Sequence, residues 1–154
     1  NKNWTISDLK PLIGIDIDGD EQRQTQGNSF YNRREAEAVA KQVKLLAQSG
    51  LKTEDIGVIT AYSGQIGIIG NRINQLDIVN PKRVSVDTVD SFQGGEREAI
   101  VVSFVRSNPE GHSGFLEFPE EGPRRLNVAL TRAQTVGSSR QLGNTGYCGT
   151  ASIA

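Results

Sequence analysis

Two short stretches of this 154-residue chain hold the residues best suited to chemistry on a phosphorylated ligand. Residues 93–96 read Gln-Gly-Gly-Glu. Glycines at 94 and 95 let backbone amides come close to a ligand, while Gln93 and Glu96 can hydrogen-bond a base or a ribose hydroxyl from either side of the turn. Arg124, Arg125 and Arg132 follow on a segment whose Leu126, Leu130 and Ala133 form the core-facing stripe of a helix. Arg125 and Arg132, seven residues apart, lie nearly superposed on it. A guanidinium held on a rigid helix can stabilise the charge that builds on a transferring phosphoryl group. Plainer roles stand beside these: a Gly-Gly turn with a solvated Glu96, a solvated basic face, and an Arg132 that complements the helix dipole.

Other chemistries find less support. Asp16, Asp18, Asp20 and Glu21 suggest a calcium loop, but Glu21 stands where the sharp-turn glycine belongs and Gly27 where the bidentate glutamate belongs. There is no Cys/His spacing for zinc, so no metal site is expected. The single cysteine, Cys148, and the single histidine, His112, are poorly placed for nucleophilic catalysis, because His112 sits in a Gly/Ser/Pro-rich stretch. No GxxxxGK[ST] occurs, so the chain has no phosphate-cradling P-loop of its own.

Alternating strands and helices must position the two stretches. Residues 12–17 (LIGIDI) read as a buried strand, and polar residues 18–29 as its outgoing loop. Asn32 is expected to cap a helix, with Glu35 three residues on in the reciprocal capping arrangement and Ala36, Val39, Ala40, Val43 and Leu46 at helical spacing. Gly50 ends that helix. Residues 56–60 (IGVIT) form a second strand. Ile66, Ile69, Ile73 and Leu76 mark a second helix, weakened by Gly67 and Gly70. Residues 84–89 and 99–104 give two further strands, the last β-branched enough to be covered on both faces. The pattern predicts an α/β domain with a parallel sheet, whose functional loops lie at the carboxyl ends of the strands, at residues 90–96 and 106–108.

Bulk properties fit one globular domain long enough to close its own core. The longest apolar run, residues 99–105, is too short to cross a bilayer, so no membrane partner is expected. One cysteine cannot form an internal disulfide, which makes a reducing, cytoplasmic compartment the expectation. The absence of methionine suggests a piece of a longer polypeptide. A net charge of −1 requires any nucleic-acid contact to be local or shared with other domains.

Four blocks occur in an order that resembles the second RecA-like domain of superfamily 1 helicases of the Upf1/DNA2/NAM7 type: SFYNRREAEAV at 29–39, IGVITAYSGQ at 56–65, VDSFQGGEREAIVVSFVRSN at 89–108 and GFLEFPEEGPRRLNVALTRA at 114–133. The resemblance implies a RecA-like P-loop NTPase fold, a parallel sheet in three α/β/α layers, over residues 1–133. It implies ATP bound between this domain and a first RecA-like domain in cis, which carries the P-loop lysine and holds Mg²⁺. In this chain Glu96 would then meet the nucleotide sugar and Arg132 would be the catalytic arginine finger toward the γ-phosphate. Gln93 and Gly94 would shape the turn, and Arg125 would join the nucleotide-binding set. Thr60, Tyr62, Thr88, Ser91, Arg106 and Asn108 would face single-stranded DNA or RNA, or couple that track to the nucleotide.

Two departures bear on these expectations. Ile66 stands where some relatives place a phosphate-binding arginine. The family also continues past the LTRA block with a basic residue and an apolar strand, whereas residues 134–154 are rich in Gly, Ser, Thr and Asn and read as loop or disorder. The implied function is the C-terminal motor domain of an ATP-dependent helicase. The alternative is a non-catalytic nucleic-acid or partner-binding module that keeps the fold.

Overall fold

The computed structural model describes residues 12–17, 21–92, 97–106 and 149–153. In chain order these form β1 (Leu12–Asp16), a hairpin of β2 (Glu21–Arg23) and β3 (Phe30–Asn32), helix α1 (Arg33–Gln48), β4 (Ile56–Thr60), helix α2 (Ser63–Asn74), β5 (Ser85–Thr88), β6 (Ala99–Ser103) and β7 (Gly149–Ile153). Five strands make one sheet in the order β1-β7-β6-β4-β5, and β2 pairs with β3 alone.

The middle of the sheet follows from the β-branched runs. Every residue of β4 and β6 is buried, and the two lie parallel with Ile56 opposite Ala99 and Thr60 opposite Ser103. On the other side of β4, β5 is also parallel, Gly57 pairing with Ser85. Alternation then sorts the side chains. Ile56, Val58, Ala99 and Val101 join Ala36, Val39, Val43, Leu46, Ile69 and Ile73 in one apolar cluster, so α1 and α2 cover the same face. Ile59, Ile100 and Val102, on the opposite face, are at most 1% exposed. Gly57 shares that face, where an added Cβ would come within 2.8 Å of Ile100 Cδ1.

The first helix ends where the spacing indicates, and the second stops at Asn74, before Leu76. Gly50 follows α1 with φ +106, the left-handed value that favours glycine, and the Ser49 and Gly50 amides bond back to carbonyls of the last turn. In α2, Ile69 and Ile73 are buried and Ile66 is half-buried, as is Leu76 just past the helix end.

Three local features differ from the sequence-based expectations. Within the polar stretch read as a loop, β2 pairs antiparallel with β3, held across the pair by Tyr31 Oη donating to Gln22 Oε1 at 2.7 Å. Three residues are too few for a period of two to show against polar neighbours. In the tail, Gly149–Ile153 forms a strand rather than loop, and residues 134–148 lie outside the described residues. Thr150 and Ile153 are β-branched, so the segment fits a ladder despite its glycine. Because β7 runs antiparallel to both β6 and β1, the sheet is mixed; the strands parallel in register are β5, β4 and β6.

The glycines of α2 are not equivalent. An added Cβ at Gly64 would meet the Phe30 carbonyl oxygen at 2.9 Å, whereas Gly67 faces open space. Gly64→Ala is therefore expected to cost about 1–3 kcal/mol through overpacking, and Gly67→Ala to gain about 0.5–1 kcal/mol from reduced unfolded-state freedom. Urea midpoints of the two variants should move in opposite directions.

Candidate functional site

The carboxyl ends of the three parallel strands are tied to each other by main-chain bonds. Val89 N donates to Thr60 O and Ala61 N to Ser103 O, each at 3.1 Å. After β5 the chain turns tightly, as Ser91 N and Phe92 N both donate to Thr88 O, and Ser91 N also reaches Thr88 Oγ1 at 3.2 Å. Tyr62, Thr88 and Arg106 are half-buried along this rim and Ser91 is exposed. Thr60 is different. It is fully buried, and its hydroxyl accepts from Tyr62 N at 3.4 Å, so its side chain holds the turn instead of facing solvent.

Beneath the rim lies a buried polar network. Asn32 caps α1 as expected, its Oδ1 accepting from Glu35 N at 3.0 Å. The reciprocal half of that arrangement is absent. Glu35 turns inward, 1% exposed, to accept from Ser103 Oγ at 3.0 Å, Phe104 N at 2.6 Å and Val105 N at 2.8 Å. The Asn32 N–H that it leaves is taken by Gln65 Oε1 at 2.9 Å, and Gln65 Nε2 returns a bond to Asn32 O at 2.9 Å and reaches Ser103 Oγ at 3.3 Å. The reason is competition for one carboxylate. Two main-chain donors past the end of β6 have no ladder partner, and a buried N–H without an acceptor costs about 1–3 kcal/mol. Sequence reasoning missed Gln65 and the inward turn of Glu35; the signal was three polar residues on otherwise apolar faces.

Val105 shows what the network holds. Its φ is +72, a value that a β-branched residue adopts at a cost of about 1–3 kcal/mol. Arg106 N donates to Phe104 O at 2.8 Å across it, closing a three-residue turn of the rare, strained hand. Glu35 fixes the amides of Phe104 and Val105, and Asn32 Nδ2 donates to Val105 O at 3.3 Å. The strained residue is thus gripped on both sides.

The turn delivers Arg106 to the rim. Its guanidinium lies 4.4 Å from the Phe30 ring centroid, and its Nε is 3.0 Å from Glu21 Oε1. Phe30 meets Tyr62 edge to face, centroids 5.5 Å apart at 75°. Burial pulls the guanidinium down, but its neighbours Tyr62 and the Glu21 carboxylate outweigh it, so Arg106 is held above its ordinary pKa and stays charged. The β2–β3 hairpin is thereby clasped to the strand ends, with Ser29 Oγ accepting from Gly64 N at 2.8 Å as a second fastening.

Of the residues singled out from sequence, Thr60, Tyr62, Thr88, Ser91 and Arg106 come together here. Gln93, Gly94, Glu96, Asn108, Arg125 and Arg132 lie outside the described residues. Among the described residues no group of three or more His, Cys, Asp or Glu converges on a cation position, and no helix is long and apolar enough to cross a membrane. A cleft of about 460 Å³, lined by Leu51, Thr53, Ile78, Val79 and Arg83 among others, opens where the chain enters β4 and β5, at the end of the sheet away from the rim.

Comparison with known proteins gives a consistent result. The family described as "AAA domain" matches residues 1–137. "Regulator of nonsense transcripts 1" of Caenorhabditis elegans is 42% identical over 128 residues, 81% of this chain and 12% of that protein. Its homologue in Arabidopsis thaliana is 45% identical over 134 residues, 85% of this chain and 10% of that protein. "ATP-dependent helicase NAM7" of Saccharomyces cerevisiae is 42% identical over 134 residues, 85% of this chain and 13% of that protein. The chain spans about a tenth of the length of these relatives.

Proposed function

The chain belongs to the AAA domain family, with the RecA-like α/β fold of an Upf1-type superfamily 1 helicase, and on that premise we propose that it is the second motor domain of an ATP-dependent helicase, unable to cycle alone. The supporting observation is the agreement of helicase relatives over more than four-fifths of the chain. In this reading ATP sits between this domain and a first RecA-like domain in cis. That partner supplies the P-loop lysine and the carboxylates for Mg²⁺; here Glu96 contacts the sugar, with Gln93 and Gly94 shaping its turn. Arg125 joins the nucleotide-binding set and Arg132 stabilises the γ-phosphate. Closure on ATP and release after hydrolysis would advance a single strand of DNA or RNA gripped by both domains.

The strand-end rim is the face this reading gives to the nucleic acid. Tyr62, Thr88, Ser91, Arg106 and, past the described residues, Asn108 offer hydroxyls, an amide and a cation suited to sugar and phosphate oxygens. Thr60 contributes from beneath, as the support of Tyr62. An overall charge of −1 suits a domain that contributes only part of such a grip.

Half a bipartite site should not turn over. The pure 154-residue chain is expected to hydrolyse ATP no faster than buffer and to show no binding heat at millimolar nucleotide, whereas the intact polypeptide is expected to hydrolyse ATP in a strand-stimulated manner. Sustained hydrolysis by the isolated chain, abolished by Arg132→Ala, would overturn the proposal.

A further inference from the structure

The carboxylate of Glu35, 1% exposed, accepts hydrogen bonds from the amides of Phe104 and Val105, the two residues that precede Arg106. We infer that Glu35 and Asn32 are positioning residues for the nucleic-acid rim, acting through the left-handed turn at Val105 to aim Arg106. The inference rests on the reading of that rim as the strand-binding face.

The mechanism is geometric. Val105 relaxes to negative φ unless both of its neighbouring peptides are held. Glu35 Oε1 holds the Phe104 amide, Oε2 holds the Val105 amide, and Asn32 Nδ2 holds the Val105 carbonyl. Release of either grip lets the peptide rotate and swings the guanidinium off Phe30, Tyr62 and Glu21. The grip also connects elements far apart in sequence, since Gln65 at the start of α2 fixes both the main chain of Asn32 and the hydroxyl of Ser103. A shift at either helix start would therefore reach Arg106 through the same few bonds.

Glu35→Gln is nearly isosteric, but its amide nitrogen must face one of the two N–H donors, which turns an acceptor into a clash of donors. In the intact polypeptide, strand-stimulated ATP hydrolysis by Glu35→Gln is expected to show a strand KM raised by about tenfold with kcat changed by less than about twofold. Glycine adopts positive φ without the grip, so Val105→Gly placed in the Glu35→Gln background should bring the strand KM back most of the way. A purely structural role for Glu35 predicts no such rescue, because Val105→Gly also opens a cavity. Asn32→Ser is the second variant: serine keeps the helix cap, loses the bond to Val105 O, and should raise the strand KM in the same direction even if Glu35→Gln does not fold.

Arg106→Ala separates the positioning role of Glu35 and Asn32 from strand binding by the rim. If it raises the strand KM while Glu35→Gln and Asn32→Ser leave it unchanged, or if Val105→Gly gives no rescue, the positioning role is wrong and the rim reading stands. If Arg106→Ala leaves the strand KM unchanged, both fall.

Discussion

Arg132→Ala in the intact polypeptide is expected to lower the maximal rate of ATP hydrolysis by about 10³-fold or more, the loss characteristic of a missing arginine finger. That factor corresponds to about 4 kcal/mol of transition-state stabilisation. In the proposed two-domain site the phosphate grip and the metal come from the first domain, so ground-state binding should survive. The KM for ATP should move far less than kcat, because the guanidinium meets charge that develops only during transfer. Arg132→Lys should recover little of the loss, since an ammonium lacks the planar fork that spans two phosphoryl oxygens. The measurement is steady-state hydrolysis at saturating single strand; a fall of less than about tenfold, or one confined to KM, would remove Arg132 from the catalytic step.

The second large effect is on stability. Gln65→Leu conserves shape but deletes the amide that joins α2 to the β3–α1 junction and to β6. Gln65 is fully buried, and its loss leaves both the N–H and the carbonyl of Asn32 without the partner each now has at 2.9 Å. The orphaned N–H costs about 1–3 kcal/mol, while the Asn32 carbonyl, as that of the helix cap, keeps the first intrahelical bond of α1. A domain of this size has only about 5–15 kcal/mol in total, so the variant should melt several degrees lower. A urea midpoint within error of the parent would mean that the introduced leucine repacks and that another group takes the Asn32 amide.

Much of the frame was legible because it rests on patterns of period. The runs at 56–60 and 99–103 are rich in β-branched residues and became the central parallel strands; Ala36, Val39, Val43 and Leu46 recur at helical spacing and all face the core. The β2–β3 hairpin was not legible, since its pairing depends on Gln22, Tyr31 and the clasp of Arg106, none of which alters local periodicity. Glu35 was legible as part of a helix start and was assigned the wrong acceptor role. Local capping rules see only the neighbouring amide, while the donors that capture its carboxylate lie about seventy residues away at Phe104 and Val105. The residues proposed to touch nucleotide owe their assignment to the chemistry of the Gln-Gly-Gly-Glu turn and of the helix arginines together with family resemblance, and they lie outside the described residues.

The bonds from Val89 to Thr60 and from Ala61 to Ser103 have a mechanical consequence. In the proposed strand-binding role, strand ends stitched through peptide groups would not adapt one at a time to the shapes of successive bases. They should tilt together as a stiff plate. If the proposal holds, a plate of that kind would follow the regular spacing of a sugar-phosphate chain while remaining indifferent to which letters pass over it.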